Sequence, residues 1–253
     1  MLRPNSGSPP SRPHRRPLHL GRFASGTAAV VSLLLASPVL ANGWHRHDHG
    51  GKGYFAIGWS ALDLGPLNDF LAASGYRRFS EDFLTLGGGG YAVLGRFVIG
   101  GQGHGYLGEG QDVPLGIENF RTDLSAAMGF VDLGWVLWSH GGCSLTPMVG
   151  LGGGGLTLQI DALTAPTFGE VLAQPGHRST LSTGGFLLDL GASFDFLLQG
   201  EDGGGPLFGV RVGWVLAPIE GGWELEDREI AGGPELGVTG PYVRILLGGG
   251  RLP

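Results

Sequence analysis

Cysteine is almost missing from this chain: Cys143 stands alone among 253 residues, so no internal disulfide holds the fold together. Charge is scarce too, at 15% of residues, and what there is leans acidic, with 22 Asp and Glu against 16 Lys and Arg. That balance argues against nucleic acid as a partner. Glycine, by contrast, is abundant at 51 residues, about three times its ordinary share. It carries no G-X-Y period, which excludes a collagen triple helix. The glycines fall inside alternating apolar runs, as crowded and tightly curved strands require.

Residues 1–41 read as an export signal. Arg3, Arg12, Arg15, Arg16 and Arg22 form a basic region, Phe23 to Leu40 is apolar and small, and Val39-Leu40-Ala41 is an acceptable cleavage site. A mature chain beginning at Asn42 holds 11 basic and 22 acidic residues. Residues 42–52 then read as a flexible His-rich tail. Its His45, His47 and His49 stand at i, i+2 and i+4, beside Asp48, a pattern that suits zinc, copper or nickel. A loose tail does nothing to preorganise them, and no other cofactor is expected.

The stretch from Phe186 to Leu216 shows the main pattern. Phe186, Leu188, Leu190, Ala192, Phe194, Phe196 and Leu198 alternate with residues that include Asp189, Gly191, Ser193 and Asp195. After the turn at Gly200 to Pro206, Phe208, Val210, Val212, Trp214 and Leu216 alternate with Gly209, Arg211 and Gly213. A period of two over some ten residues is a strand with two unlike faces. Here one face is oily and the other carries both signs of charge, as when lipid lies outside and polar residues line the inside.

Further strands are expected over Tyr54 to Leu62, Phe83 to Leu94, Phe97 to Leu107, Thr122 to Trp138, Ser144 to Gln159 and Tyr242 to Gly248. The Gly95-Arg96 pair suits a two-residue type II′ hairpin, which sets Leu94 against Phe97 and Gly88 against Gly103. Pro66 to Ala73 reads as a short helix in the first long connection, with Leu67, Phe70 and Leu71 on one face. From the first strand on, connections alternate long and short, as in an up-and-down barrel with one mouth on each side of a bilayer. Unpaired backbone cannot sit in lipid, so the sheet should close. The expected fold is all-β: an eight-stranded antiparallel transmembrane barrel over residues 53–250.

With this alternation of strands and links, the chain resembles the small outer-membrane barrels of Gram-negative bacteria, of the OmpA transmembrane domain, OmpX and OmpW type. The resemblance is architectural and implies an outer-membrane location, with outer-membrane lipid and lipopolysaccharide as surroundings. It ends, unlike that class, on Leu252-Pro253 rather than on an aromatic residue.

Eight strands enclose little more than their own side chains. Gln102, His104, Asp132, Asp189, Asp195, Arg211 and Arg244 fall on inward faces and should form a buried polar network, in which counting back through their turn sets Asp195 opposite Arg211, touching it or one diagonal away. Gly88, Gly90, Gly101 and Gly103 fall on the lipid face, as relief for curvature or as a groove where an acyl chain or another barrel docks. No catalytic residue is assigned, since His104 and His140 belong to no Ser-His-acid arrangement. The expectation is a monomeric, non-enzymatic barrel with a structural or surface-interaction role, meeting a protein partner at its extracellular loops or glycine patch. Three alternatives stand beside it: a narrow pore for small or apolar solutes, a lipid-modifying outer-membrane enzyme, and a soluble lipocalin-like binding barrel. The last would need a more highly charged exterior.

Overall fold

A computed structural model of the chain describes residues 49–115, 118–163, 168, 178–198, 204–226 and 228–251. Residues 1–41, expected to be an export signal, and His45 and His47 lie outside the described residues, as does the side chain of His49. In chain order the elements are β1 (His49–Ala61), α1 (Gly65–Ala73), β2 (Asp82–Leu94), β3 (Phe97–Leu115), β4 (Glu118–Trp135), β5 (Trp138–His140), β6 (Cys143–Ala162), β7 (Arg178–Leu197), β8 (Gly204–Glu220), β9 (Trp223–Leu225), β10 (Arg228–Ile230) and β11 (Gly240–Arg251). Each of β1, β2, β3, β4, β6, β7, β8 and β11 pairs antiparallel with the next, and β11 returns to β1. The sheet therefore closes as an eight-stranded antiparallel barrel and leaves no edge around its waist.

The expected β2–β3 hairpin forms in the expected register, with Leu94 opposite Phe97 and Gly88 opposite Gly103. Gly95 has φ +61° and Arg96 has no positive φ, the combination a type II′ turn uses. The next tight turn, Gly141-Gly142, has both φ positive and joins β5 to β6 as type I′. Between β4 and β5 the ladder lapses at Val136 and Leu137. Pro147, which has no N–H to donate, faces this lapse, since β4 pairing stops at Met148 and β5 pairing resumes at Leu145.

Several boundaries differ from the sequence reading. β1 begins at His49, so residues 49–52 are strand and not tail; they pair with β2, and from Gly51 on also with β11. β3 continues past Leu107 to Leu115, across an irregularity between Tyr106 and Glu109. The last long connection contains the β9–β10 hairpin, and β9 pairs onto β7 at Leu181 and Ser182. The β7–β8 register is two residues from the expected one: Arg211 faces Ser193, and Asp195 faces Gly209. Helix α1 starts at Gly65 with Pro in its first turn and buries Leu67, Asn68 and Leu71, whereas Phe70 is exposed.

These lengths make the barrel lopsided. β1, β2 and β11 run 12 to 13 residues, but β3, β4, β6 and β7 run 18 to 20. At about 3.4 Å per residue, the longer strands rise roughly 20 to 25 Å further on the long-connection side, as a four-stranded wall. The inner face of that wall is apolar: Leu124, Leu156 and Leu158 pack in one cluster with Leu67 and Leu71 of α1, and with Leu236 and Val238 of the last connection. Asn68 anchors the first connection, donating to the Phe79 carbonyl at 3.1 Å and accepting from the Phe79 N–H at 2.8 Å. The long-connection mouth is thus plugged. A second apolar cluster, including Val93, Val98, Met148, Leu197, Leu207 and Leu246, fills the short-turn end.

Candidate functional site: the buried polar layer

Between the two apolar plugs lies a layer of charge. Asp132, Asp189, Asp195, Arg211 and Arg244 are each no more than 1% exposed, and Gln102 and His104 are buried beside them. Lys52 joins them from β1, adding a third cation to the two arginines against three carboxylates. Six buried charges so arranged sum to zero, the condition under which ions survive away from water.

Arg211 is the hub. Its Nη2 donates to Asp189 at 2.8 Å, its guanidinium reaches both oxygens of Asp132 at 3.4 Å, and its Nε donates to the Tyr242 hydroxyl at 3.2 Å. Its Nη1 also donates to the Tyr91 hydroxyl. Each carboxylate then gains neutral donors. Tyr91 donates to Asp132 at 2.6 Å and Tyr242 to Asp189 at 2.7 Å, while Gln102 Nε2 bridges the two at 3.2 and 2.9 Å. Tyr54 completes the chain by donating to Tyr91 at 2.9 Å, with the two rings stacked 5.6 Å apart. Seven side chains from seven strands are joined in this way, so the network ties together staves of the barrel that share no ladder.

Asp195 belongs to a different pair. It accepts from the Ser193 hydroxyl at 2.8 Å and forms an ion pair with Lys52 across the lumen. The register sets Gly209 opposite Asp195 and Ser193 opposite Arg211, so Asp195 and Arg211 stand one diagonal apart, the second of the two expected placements, and Asp195 takes Lys52 as its ion-pair partner. Sequence reasoning missed Lys52 by placing it in the tail. The signal was present: Lys52, Tyr54, Ala56, Gly58 and Ser60 continue one inward row with a period of two.

Glycine makes the room. A Cβ on Gly209 would lie 2.5 Å from Asp195 Oδ1, and one on Gly213 2.5 Å from the Tyr242 hydroxyl. A Cβ on Gly89 would lie 2.7 Å from the Tyr54 hydroxyl. Large polar side chains fit this narrow interior because the strand opposite presents no side chain to oppose them.

The register also brings the four glycines of the expected patch together. Gly88, Gly90, Gly101 and Gly103 share the outer face in two cross-strand pairs, and Gly129 and Gly153 extend the row onto β4 and β6. His140 lies in the exposed β5 segment, away from the buried layer. Among the described residues, no three His, Cys, Asp or Glu side chains gather as a metal site. Neither a protein-family model nor a curated protein matches the chain.

Proposed function

We propose that this protein is an outer-membrane barrel with a filled interior and a structural or surface-interaction role. One observation carries the reading: the barrel is turned inside out relative to a soluble protein. Its charges are inside, and its outer face is oily. Phe55, Ile57, Trp59, Leu133, Phe194, Val210, Trp214 and Ile245 are each 36% exposed or more. Among described outward positions on the belt, from Gly53 to Trp59 on β1 and at the paired height on the other seven strands, none is charged, and Arg251, opposite Gly51, stands at its short-turn edge. An exposed apolar surface this extensive far exceeds what a soluble monomer carries. Aromatic residues bracket the belt, with Phe97, Trp135 and Phe208 toward the short turns and Trp59 and Trp214 toward the long connections, as in interfacial girdles.

The wall supports the surface-interaction role. Above the belt its outer face turns polar, through Arg121, Asp123 and Ser125 on β4, Thr157, Gln159 and Asp161 on β6, and Arg178 and Thr180 on β7. Among the described residues β3 has no strand partner beyond Tyr106 other than β4, so its last residues offer a sheet edge to a protein partner at the cell surface. A pore is the weaker reading, because the apolar plugs close the lumen above and below the charges.

Fractionation of cells expressing the full chain tests the location. The protein is expected in the outer membrane and to migrate faster on a gel before boiling than after. A soluble periplasmic protein would end the proposal. Planar-bilayer recordings are expected to show no steady conductance.

A further inference from the structure

One corner of the interior holds polar atoms that no protein group satisfies. Arg244, fully buried on β11, donates from Nη1 to Gln102 Oε1 at 3.2 Å, and its guanidinium carbon stands 3.7 Å from the centre of the Tyr242 ring. Its Nε and Nη2 have no partner among the described residues. Those two N–H bonds run parallel on one side of the guanidinium, as the fork that grips two acceptors at once. Two more buried atoms are unpartnered, Thr85 Oγ1 and His104 Nδ1.

All three residues border one patch of inner wall. The Arg244 stem lies over Gly58, where a Cβ would be 2.7 Å from its Cγ, and Gly58 is paired directly with Thr85 on β2. The His104 ring lies over Gly87, two residues along the same inward row, and would meet a Cβ there at Nδ1.

The chemistry of the corner follows from Gln102. Its Nε2 faces the two carboxylates, so its Oε1 accepts from both Arg244 and His104 Nε2, the latter at 2.8 Å. His104 therefore carries its proton on Nε2, and in the neutral ring Nδ1 offers a lone pair. The corner presents two donors, one acceptor and one hydroxyl that does either. Charge nearby already balances, so an anion would leave uncompensated charge sealed between apolar plugs. A small neutral ligand that both donates and accepts fits every group.

We propose that Arg244, Thr85 and His104 form a binding site for ordered water inside the barrel. Interior water needs two to four polar partners, and Arg244 Nε and Nη2, Thr85 Oγ1 and His104 Nδ1 are four such atoms on one inner wall. With both mouths plugged, exchange with solvent is slow, and the water is a lasting part of the fold. This holds for a closed barrel in any surroundings and does not rest on the outer-membrane reading.

The test is oxygen-17 relaxation dispersion of water on the full chain refolded in detergent micelles, with gel mobility before boiling reporting the fold. The folded protein is expected to show long-lived internal water. Thr85→Val keeps the side-chain volume and removes one partner, and is expected to lower the dispersion amplitude by about one water. Arg244→Lys keeps the charge without the fork, and should lower it too if Thr85→Val fails to fold. An unchanged amplitude in a folded variant overturns the site. So does a rise in the unfolding midpoint with chloride that a bulky anion does not reproduce and Thr85→Val abolishes, for the corner would then take an anion.

Discussion

Glycines on the two faces of this barrel do opposite jobs. On the inside, Gly213 and Gly209 are occupied space, with the Tyr242 hydroxyl and an Asp195 oxygen standing where a methyl group would go. On the outside, a Cβ on Gly105 or Gly53 would meet nothing within 4 Å. At these positions the same residue type is a packing requirement inside and leaves open surface outside, whereas at Gly88, also on the outer face by register, a Cβ would lie 2.6 Å from the Tyr54 carbonyl oxygen. The difference teaches where this fold is specified. The lumen is a jigsaw of fixed volume and balanced charge, whereas the outer face asks mainly to be apolar.

The sharpest way to break that contrast is to remove the hub of the lumen. Arg211→Met strands Asp132 and Asp189, and is expected to cost about 3 to 5 kcal/mol. Urea unfolding of the refolded barrel, followed by tryptophan fluorescence, reads the change. A midpoint equal to that of the parent would mean that the network does not hold the staves. Next in size is Gly213→Ala, which drives a methyl into the Tyr242 hydroxyl and should cost roughly 1 to 3 kcal/mol in the same titration. Its outer counterpart, Gly105→Ala, should stay within about 0.5 kcal/mol. Equal costs for the two alanines would erase the distinction between the faces.

The smallest effect belongs to the rim of the wall. There Arg178 donates to Asp161 at 2.6 and 3.1 Å and holds that carboxyl below its ordinary value of 3.8. A lowered carboxylate pKa contributes stability that is present above 3.8 and is lost as pH falls through the depressed value. Because Arg178 is mostly exposed, solvent screens the pair, and Arg178→Gln should change stability by under about 1 kcal/mol. The Asp161 carboxyl, followed by NMR, should titrate at a higher pH in that variant. No movement would mean that the rim pair does not form in solution.

Much of the architecture was legible along the chain, for reasons tied to particular residues. Phe208 to Leu216 alternates because successive side chains leave a strand on opposite faces, and Gly95-Arg96 sets its own register because a two-residue turn leaves no slack. The β7–β8 turn is longer, and its register came out two residues from the count. Lys52 was hidden because its stretch is small, polar and glycine-rich, which reads as a tail until two neighbouring strands supply its hydrogen bonds. The wall was hidden for a similar reason: the stretch from Gly108 on resembles a loop, but β4 gives the backbone of Glu109 to Leu115 a partner.

Alternation alone decided that eight segments would be strands, which residues of each would look inward, and that the inward set would mix Asp with Arg. Local backbone geometry carries that information within a few residues. Which Asp meets which cation was settled only when the sheet closed, since Lys52 and Asp195 lie 143 positions apart and come together across a lumen that no single hairpin contains. Pairing of buried charge depends on distance through space, and in a barrel that distance is set by the register of all eight staves together.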